Sequence, residues 1–298
     1  MQTRRQAALV IAAGAIGCAL TLSRRSAHAA IDTLGGLRED FAALEAESGG
    51  RLGVAVLDTG SGGFAGHRAD ERFPMCSTFK LLAAAALLKR VDDGKEKLDR
   101  RVIFAASELV PYSPVTKDHA GSDGMTVEEL CVAAMTVSDN TAGNLVLASL
   151  GGPQALNDYV RSLGDAVTRL DRIEPELNEA LPDDPRDTTT PAVMLNNIRA
   201  LVLGDALSER SKQQLIAWLA SNKTGGARLR AGLPAGWRVG DKTGSGERGT
   251  TNDVGVAWRP QSAPVLMAVY LTGTTTSAEA RNRTIAAVGA AIAARLGG

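Results

Sequence analysis

The sequence predicts an α/β (α+β) fold: a mostly antiparallel sheet flanked by helices and built from both termini, plus a central all-helical lobe. Three observations predict it. Strand character appears over Leu52 to Leu57 and returns only over Trp237 to Lys242, Asp253 to Trp258 and Val265 to Leu271. Between about residues 90 and 220 there is no long β-branched alternation, whereas helix start and stop signals recur. Amphipathic helix patterns accompany both groups of strands. Strands at both ends with helices between them imply that the termini complete one sheet. Residues 30–68 and 221–298 are then the α/β lobe, residues 69–220 the helical lobe, and a site is expected between the two.

Residues 1–29 read as an export signal, with Arg4-Arg5, the apolar run Ala7 to Leu22, and Ala27-His28-Ala29 as a small-x-small cleavage site near Ala29. The apolar run is short for a spanning helix, and no other run reaches about 18 apolar residues. A periplasmic or secreted protein without stable membrane insertion is therefore expected. Paired arginines after Thr3 permit either a twin-arginine or an ordinary secretory route, and Cys18 offers a lipoprotein tether as a lesser alternative. Cleavage removes four arginines and no acids, so the balance of 33 basic and 33 acidic residues becomes 29 against 33, a net charge of −4. No basic cluster is interleaved with aromatics, which argues against a nucleic-acid partner. A monomer is expected.

Taken in order, Leu37, Phe41 and Leu44 recur at helical spacing until Gly49-Gly50 stops the helix. The strand Leu52 to Leu57 follows, then the turn Thr59-Gly60-Ser61-Gly62-Gly63 and a returning strand, a hairpin. The apolar run Leu81 to Leu88 predicts a helix headed by Cys76-Ser77-Thr78-Phe79-Lys80. Thr126-Val127-Glu128-Glu129 is a capping box, with Met125 and Leu130 placed as a hydrophobic staple, and its helix runs toward Val137. The next helix begins at Asp139 or Asn140 and stops at Gly151-Gly152-Pro153. After the three late strands, Ile285, Val288, Ile292 and Leu296 mark a closing helix.

Three motifs carry chemistry. On a helix Ser77 and Lys80 share a face, so the lysine can reach the hydroxyl, and a serine at a helix N-terminus lies beside unpaired N–H groups able to hold an oxyanion. Ser138-Asp139-Asn140 offers a hydroxyl, a carboxylate and an amide between two helices, although these are also the preferred capping residues. Asp241-Lys242-Thr243-Gly244-Ser245-Gly246 ends a predicted strand and puts a cation and two hydroxyls at a sheet edge, with glycines permitting close backbone approach. Of the cysteines outside the leader, Cys76 and Cys131 are expected to be buried free thiols, since two cysteines make no disulfide framework. His28, His67 and His119 have no metal-ligand spacing, so neither a metal nor a cofactor is expected.

In this order and at these separations the motifs resemble those of the serine penicillin-recognising enzymes, a family pattern. The stretch Arg172-Ile173-Glu174-Pro175-Glu176-Leu177-Asn178 is similar to that of the class A serine β-lactamases. That resemblance implies hydrolysis of the β-lactam ring of penicillins and cephalosporins through a serine acyl-enzyme. Ser77 is then the nucleophile, with the backbone N–H groups of Ser77 and Ser245 as the oxyanion hole. Either Lys80, or Glu174 through a water, takes the acylation proton; Ser138 relays a proton to the ring nitrogen. Glu174 activates the deacylating water, positioned by Asn178, and a cis peptide is expected between Glu174 and Pro175. Asn140 and Tyr112 belong to the substrate-binding set, and Lys242, Thr243 and Ser245 meet the substrate carboxylate. Arg172 and Asp187 resemble the ion pair that closes the Ω-type loop marked by Pro182 and Pro185, and Asn144 resembles the residue that braces it.

The pattern departs from some members in three places. Thr251 stands where some carry an arginine, and Arg228 resembles the arginine that compensates. Gly246 stands where a carbapenem-hydrolysing subset has a cysteine bridged to the one before the nucleophile, and Ala84 stands where others place the partner of Cys131. Gly244-Ser245-Gly246 with Gly249-Thr250-Thr251-Asn252-Asp253 resembles cefotaxime-hydrolysing members, which implies cephalosporin activity. Two other functions share the three motifs, a cell-wall D-alanyl-D-alanine carboxypeptidase or transpeptidase and a β-lactam sensor. Glu174 and Asn178 argue against both, because neither requires a water-activating acid.

Overall fold

Leu37 and Phe41 bury one face of the first helix against a sheet whose central strands are buried on both faces, which is why those strands read as largely apolar. In the computed structural model, which describes residues 34–297, the elements run α1 (Leu37–Ser48), β1 (Arg51–Asp58), β2 (Phe64–His67) and β3 (Phe73–Pro74). A 3₁₀ turn (Cys76–Thr78) leads into α2 (Phe79–Asp92), followed by β4 (Arg101–Val102), β5 (Met125–Thr126), α3 (Val127–Thr136), α4 (Asn140–Leu150) and α5 (Pro153–Ser162). Then come β6 (Thr188–Thr189), α6 (Pro191–Val202), α7 (Glu209–Ala220), α8 (Leu229–Gly232), β7 (Arg238–Ser245), β8 (Thr251–Trp258), β9 (Val265–Thr272) and α9 (Ala278–Arg295). The leader, its cleavage site at Ala29 and Cys18 lie outside the described residues. Among the described residues no helix is long and apolar enough to cross a membrane.

The main sheet has the order β2-β1-β9-β8-β7, with every neighbouring pair antiparallel. Alternation splits its side chains between two cores. Leu52, Val54 and Val56 of β1, with Val265, Met267, Val269 and Leu271 of β9, join α1 and α9. Ala55, Leu266, Ala268 and Tyr270 face the other way and join α2, α3, α4, α6 and α7. At about 25 cal/mol per Å² of apolar surface, this two-sided burial is the main stabilising contribution. It also makes β7, at one edge, the rail along which the helical layer meets the sheet.

Two expectations need correction. The strand expected to end at Lys242 continues to Ser245, and the close backbone approach expected of its glycines occurs within the strand, at Gly244, where a Cβ would lie 2.7 Å from the Met75 carbonyl oxygen. The central region also holds short strands, β3 paired with β6 and β4 with β5, whose two-residue lengths show no alternation to read. The capping box forms as expected: Thr126 Oγ1 accepts from the Glu129 N–H at 3.1 Å and Glu129 Oε2 accepts from the Thr126 N–H at 2.7 Å. Met125 and Leu130 are buried in the same core.

Thr126→Ala removes the cap of α3 and should lower the unfolding free energy by about 1 kcal/mol, read by urea titration. An unchanged urea midpoint would show that the capping box contributes nothing to α3.

Candidate active site

The 3₁₀ turn sets Ser77 at the mouth of α2, with Cys76 in the left-handed region at φ +45°. That strained turn is held from two sides. Asn252 on β8 donates through Nδ2 to the carbonyls of Pro74 (2.9 Å) and Met75 (3.1 Å), and Thr78 donates to Met75 from its N–H (3.2 Å) and its Oγ1 (2.8 Å). Gly246 closes over the turn so tightly that a Cβ would meet Cys76 Sγ at 2.6 Å. Cys76 and Cys131 are buried free thiols, as expected, and burial pushes both thiol pKa values up.

Ser77 Oγ lies between two ionisable groups. Lys80 Nζ approaches it at 2.9 Å, and it donates to Glu174 Oε1 at 3.0 Å; the same carboxylate oxygen is 2.9 Å from Lys80 Nζ. Both ionisable side chains are fully buried. Lys80 also donates to the Ser138 carbonyl (2.9 Å) and to Asn140 Oδ1 (2.7 Å), and it fits against α4 because Gly143 has no Cβ to strike its Cε. Burial lowers the Lys80 pKa below the ordinary lysine value despite the opposing Glu174 charge.

Glu174 is fixed at its backbone and its carboxylate. Asn144 Oδ1 accepts its N–H and Asn144 Nδ2 donates to its carbonyl, both at 2.9 Å, while Asn178 Nδ2 donates to its Oε2. The Glu174–Pro175 peptide is cis. Arg172 Nε donates to Asp187 Oδ2 at 2.6 Å, and Asp187 Oδ1 accepts the N–H groups of Asp171 and Arg172, closing the loop that carries Glu174.

In Ser138-Asp139-Asn140 both readings of the motif hold, for different residues. Asp139 caps α4 through the Ala142 N–H and also holds the N–H groups of Val115 and Thr116. Ser138, in the left-handed region at φ +60°, turns its hydroxyl toward Lys242 Nζ at 3.0 Å, with Lys80 Nζ at 3.4 Å. Asn140 is engaged by Lys80 and by the Pro111 carbonyl, which leaves one amide N–H for a ligand. Lys242 is fully buried, and burial, reinforced by the Lys80 charge, holds its pKa well below the ordinary value.

A cleft of about 360 Å³ opens over these groups, lined by Ser77, Ser138, Asn140, Asn178, Thr243 and Ser245, with Tyr112 60% exposed at its rim. Arg228 donates to the Gly244 and Asn252 carbonyls and through Nη2 to Ser245 Oγ at 2.6 Å. All the residues expected from sequence thus converge on one cleft or on its supports. Sequence reasoning missed Thr224, whose hydroxyl bonds that of Thr243, and Asn252. Asn252 sits in a strand as an unremarkable polar residue; only the fold shows that it faces the turn before Ser77.

Residues 36–296 match the model of the family described as Beta-lactamase enzyme family. The chain is 55% identical to Beta-lactamase AST-1 of Nocardia asteroides, over 83% of this chain and 79% of that protein. It is 49% identical to Beta-lactamase CTX-M-8 of Citrobacter amalonaticus, over 84% and 86%. Among solved structures, an ancestral class A β-lactamase superposes with a TM-score of 0.85 at 64% identity, covering 86% of this chain and 98% of that one. A structure described as the putative class A β-lactamase PenP of Rhodopseudomonas palustris gives 0.85 at 62%, covering 87% and 98%.

Asn252→Asp keeps the size of the side chain but turns an acceptor toward two carbonyls. Chemical denaturation should show a loss of about 2 to 4 kcal/mol, and Ser77 should be acylated more slowly. Unchanged stability and acylation would show that the turn does not depend on this amide.

Proposed function

The chain belongs to the β-lactamase enzyme family, among its class A members, and is a serine hydrolase of β-lactams that confers resistance to them; from that premise we propose how its residues divide the work. The observation that carries the proposal is the buried triangle of Ser77 Oγ, Lys80 Nζ and Glu174 Oε1. Both candidate bases touch the hydroxyl, so the proton leaving Ser77 reaches either in one transfer and passes between them over 2.9 Å. The serine oxygen bonds the lactam carbonyl carbon, and the oxyanion rests on the N–H groups of Ser77 and Ser245. As the ring C–N bond breaks, the nitrogen takes the Ser138 hydroxyl proton, which is replaced from Lys80 or Lys242.

Hydrolysis of the ester then needs a water. Glu174 removes its proton, the resulting hydroxide attacks the acyl carbon, and Ser77 leaves with a proton returned from the triangle. Asn178 supports this step with an Oδ1 that is buried and unpartnered among the described residues. Thr243 and Ser245 offer hydroxyls to the substrate carboxylate, Lys242 stands behind them as the charge, and Arg228 orients Ser245. In this reading Arg228 reinforces carboxylate binding in place of the arginine that some members carry at the Thr251 position. Asn140 and Tyr112 hold the remainder of the substrate, for which we propose both penicillins and cephalosporins. We propose that the enzyme acts as a monomer, and the leader read over residues 1–29 supports action outside the cytoplasm.

With excess chromogenic cephalosporin the protein should hydrolyse well beyond one equivalent, while Glu174→Ala should stop after a stoichiometric burst with acyl-enzyme visible by intact mass. A wild-type protein that also stops at one equivalent would overturn the hydrolase reading. A second expectation concerns pH. Because Lys242 loses its proton below the ordinary lysine value of about 10.4, kcat/KM should fall on the alkaline side with a midpoint under that value. Lys242→Arg keeps its charge and should move that limb upward; an unmoved limb would assign it to another group.

A further inference from the structure

The cleft over Ser77 is not the larger cavity beside the Ω-type loop. A second one, of about 580 Å³, opens behind the stretch Ala180 to Pro185 and shares no lining residue with the first. Its apolar wall is Pro74, Ala180, Leu181 and the prolines 182 and 185. Six charged side chains also line it, and four of them are already committed. Arg51 pairs with Glu71 at 2.9 Å, Arg72 donates to the Val167 carbonyl and to Thr188 Oγ1, and Asp184 is paired with Arg186.

Arg248 and Asp183 remain. Neither side chain has a hydrogen bond or ion pair among the described residues, and the two do not reach each other although both line one cavity. Both sit in the left-handed region, at φ +54° and +59°, as does Ala180 at +51°. Non-glycine residues persist there only where their surroundings hold them, and such strain gathers at ligand sites. One cation and one anion, separated and free, above an apolar wall, complement a molecule with opposite charges at its two ends and an apolar body between them.

We propose that this cavity is a second binding site, for a zwitterionic short peptide: its carboxylate on Arg248, its ammonium on Asp183 and an apolar side chain against the proline wall. The site is wired to the first one. Arg248 follows Glu247, whose N–H donates to the Asn178 carbonyl at 2.9 Å, and the Arg248 carbonyl accepts from Gly273. Asp183 lies on the loop that carries Glu174 and Asn178. A bound peptide therefore ties the loop to the β7–β8 turn, and its occupancy changes how Asn178 presents to Glu174.

The test is calorimetric titration of the protein with the dipeptide Ala-Leu, its N-acetyl form and its C-terminal amide, alongside Asp183→Asn and Arg248→Gln. The proposal expects saturable binding of the free dipeptide, weakened about tenfold or more by either cap and by either variant. It expects turnover of chromogenic cephalosporin to respond with the same midpoint as binding. Both variants, which touch nothing in the catalytic cleft, should keep basal turnover, and that shows they fold. No binding by about 10 mM, where even a site of about 1 mM would fill, overturns the proposal. So does equal binding of capped and free peptides, which would indicate an anion or apolar site only, and so does binding without any change in turnover. The heats stand apart from the reading of the cleft, so failure here and failure of β-lactam turnover are separate results.

Discussion

The Ser77 hydroxyl is held between a buried amine and a buried carboxylate, and the rest of the structure is arranged to make that burial tolerable. An isolated charge in a protein interior costs several kcal/mol or more, and it persists only if paired and hydrogen-bonded. Lys80 and Glu174 are paired, and their remaining contacts come from α4 with the turn before it and from the loop that carries Glu174 itself. Asn140 and the Ser138 carbonyl hold the amine; Asn144 and Asn178 hold the glutamate. The loop carrying Glu174 is itself anchored by Asp187, buried and bonded to Arg172 and two backbone N–H groups. Removing one member of such a network leaves the others unpaired, so its parts are not independent.

Lys242, proposed to meet the substrate carboxylate, extends this logic. It approaches the Ser138 hydroxyl at 3.0 Å with Lys80 at 3.4 Å, so two buried amines face one hydroxyl and each discourages charge on the other. A ligand carboxylate relieves that repulsion. In the proposed division of work the cleft gains from an anion before any chemistry occurs, and the triangle supplies the chemistry. β7 makes this possible because its edge position and its glycines let Lys242, Thr243 and Ser245 pass directly under the turn that carries Ser77.

Much of this was legible in the sequence, for reasons that differ by residue. Helix periodicity placed α1 and α9, and the capping box at Thr126 placed α3, because both signals are local. Ser77 and Lys80 were legible because spacing on one helix turn is local too. That Glu174, 97 positions after Ser77, touches the same hydroxyl is a property of the fold, and only the family resemblance pointed to it. Nothing gave Asn252 or Thr224 a role, because those roles depend on which strand face meets which turn. The end of β7 was misjudged because glycine signals a turn and a close approach in the same letter. Two-residue strands such as β3 and β6 carry no period at all.

The most direct measurement is a titration of Lys80 by carbon NMR, in protein labelled at the lysine ε-carbon, with its resonance identified by its loss in Lys80→Met. The account predicts that Lys80 gives up its proton below the ordinary lysine value of about 10.4, poised to exchange a proton with Ser77 and Glu174. A Lys80 resonance that titrates at or above that value would mean that the amine remains a fixed cation, and the shared-proton triangle at the centre of this structure would be wrong.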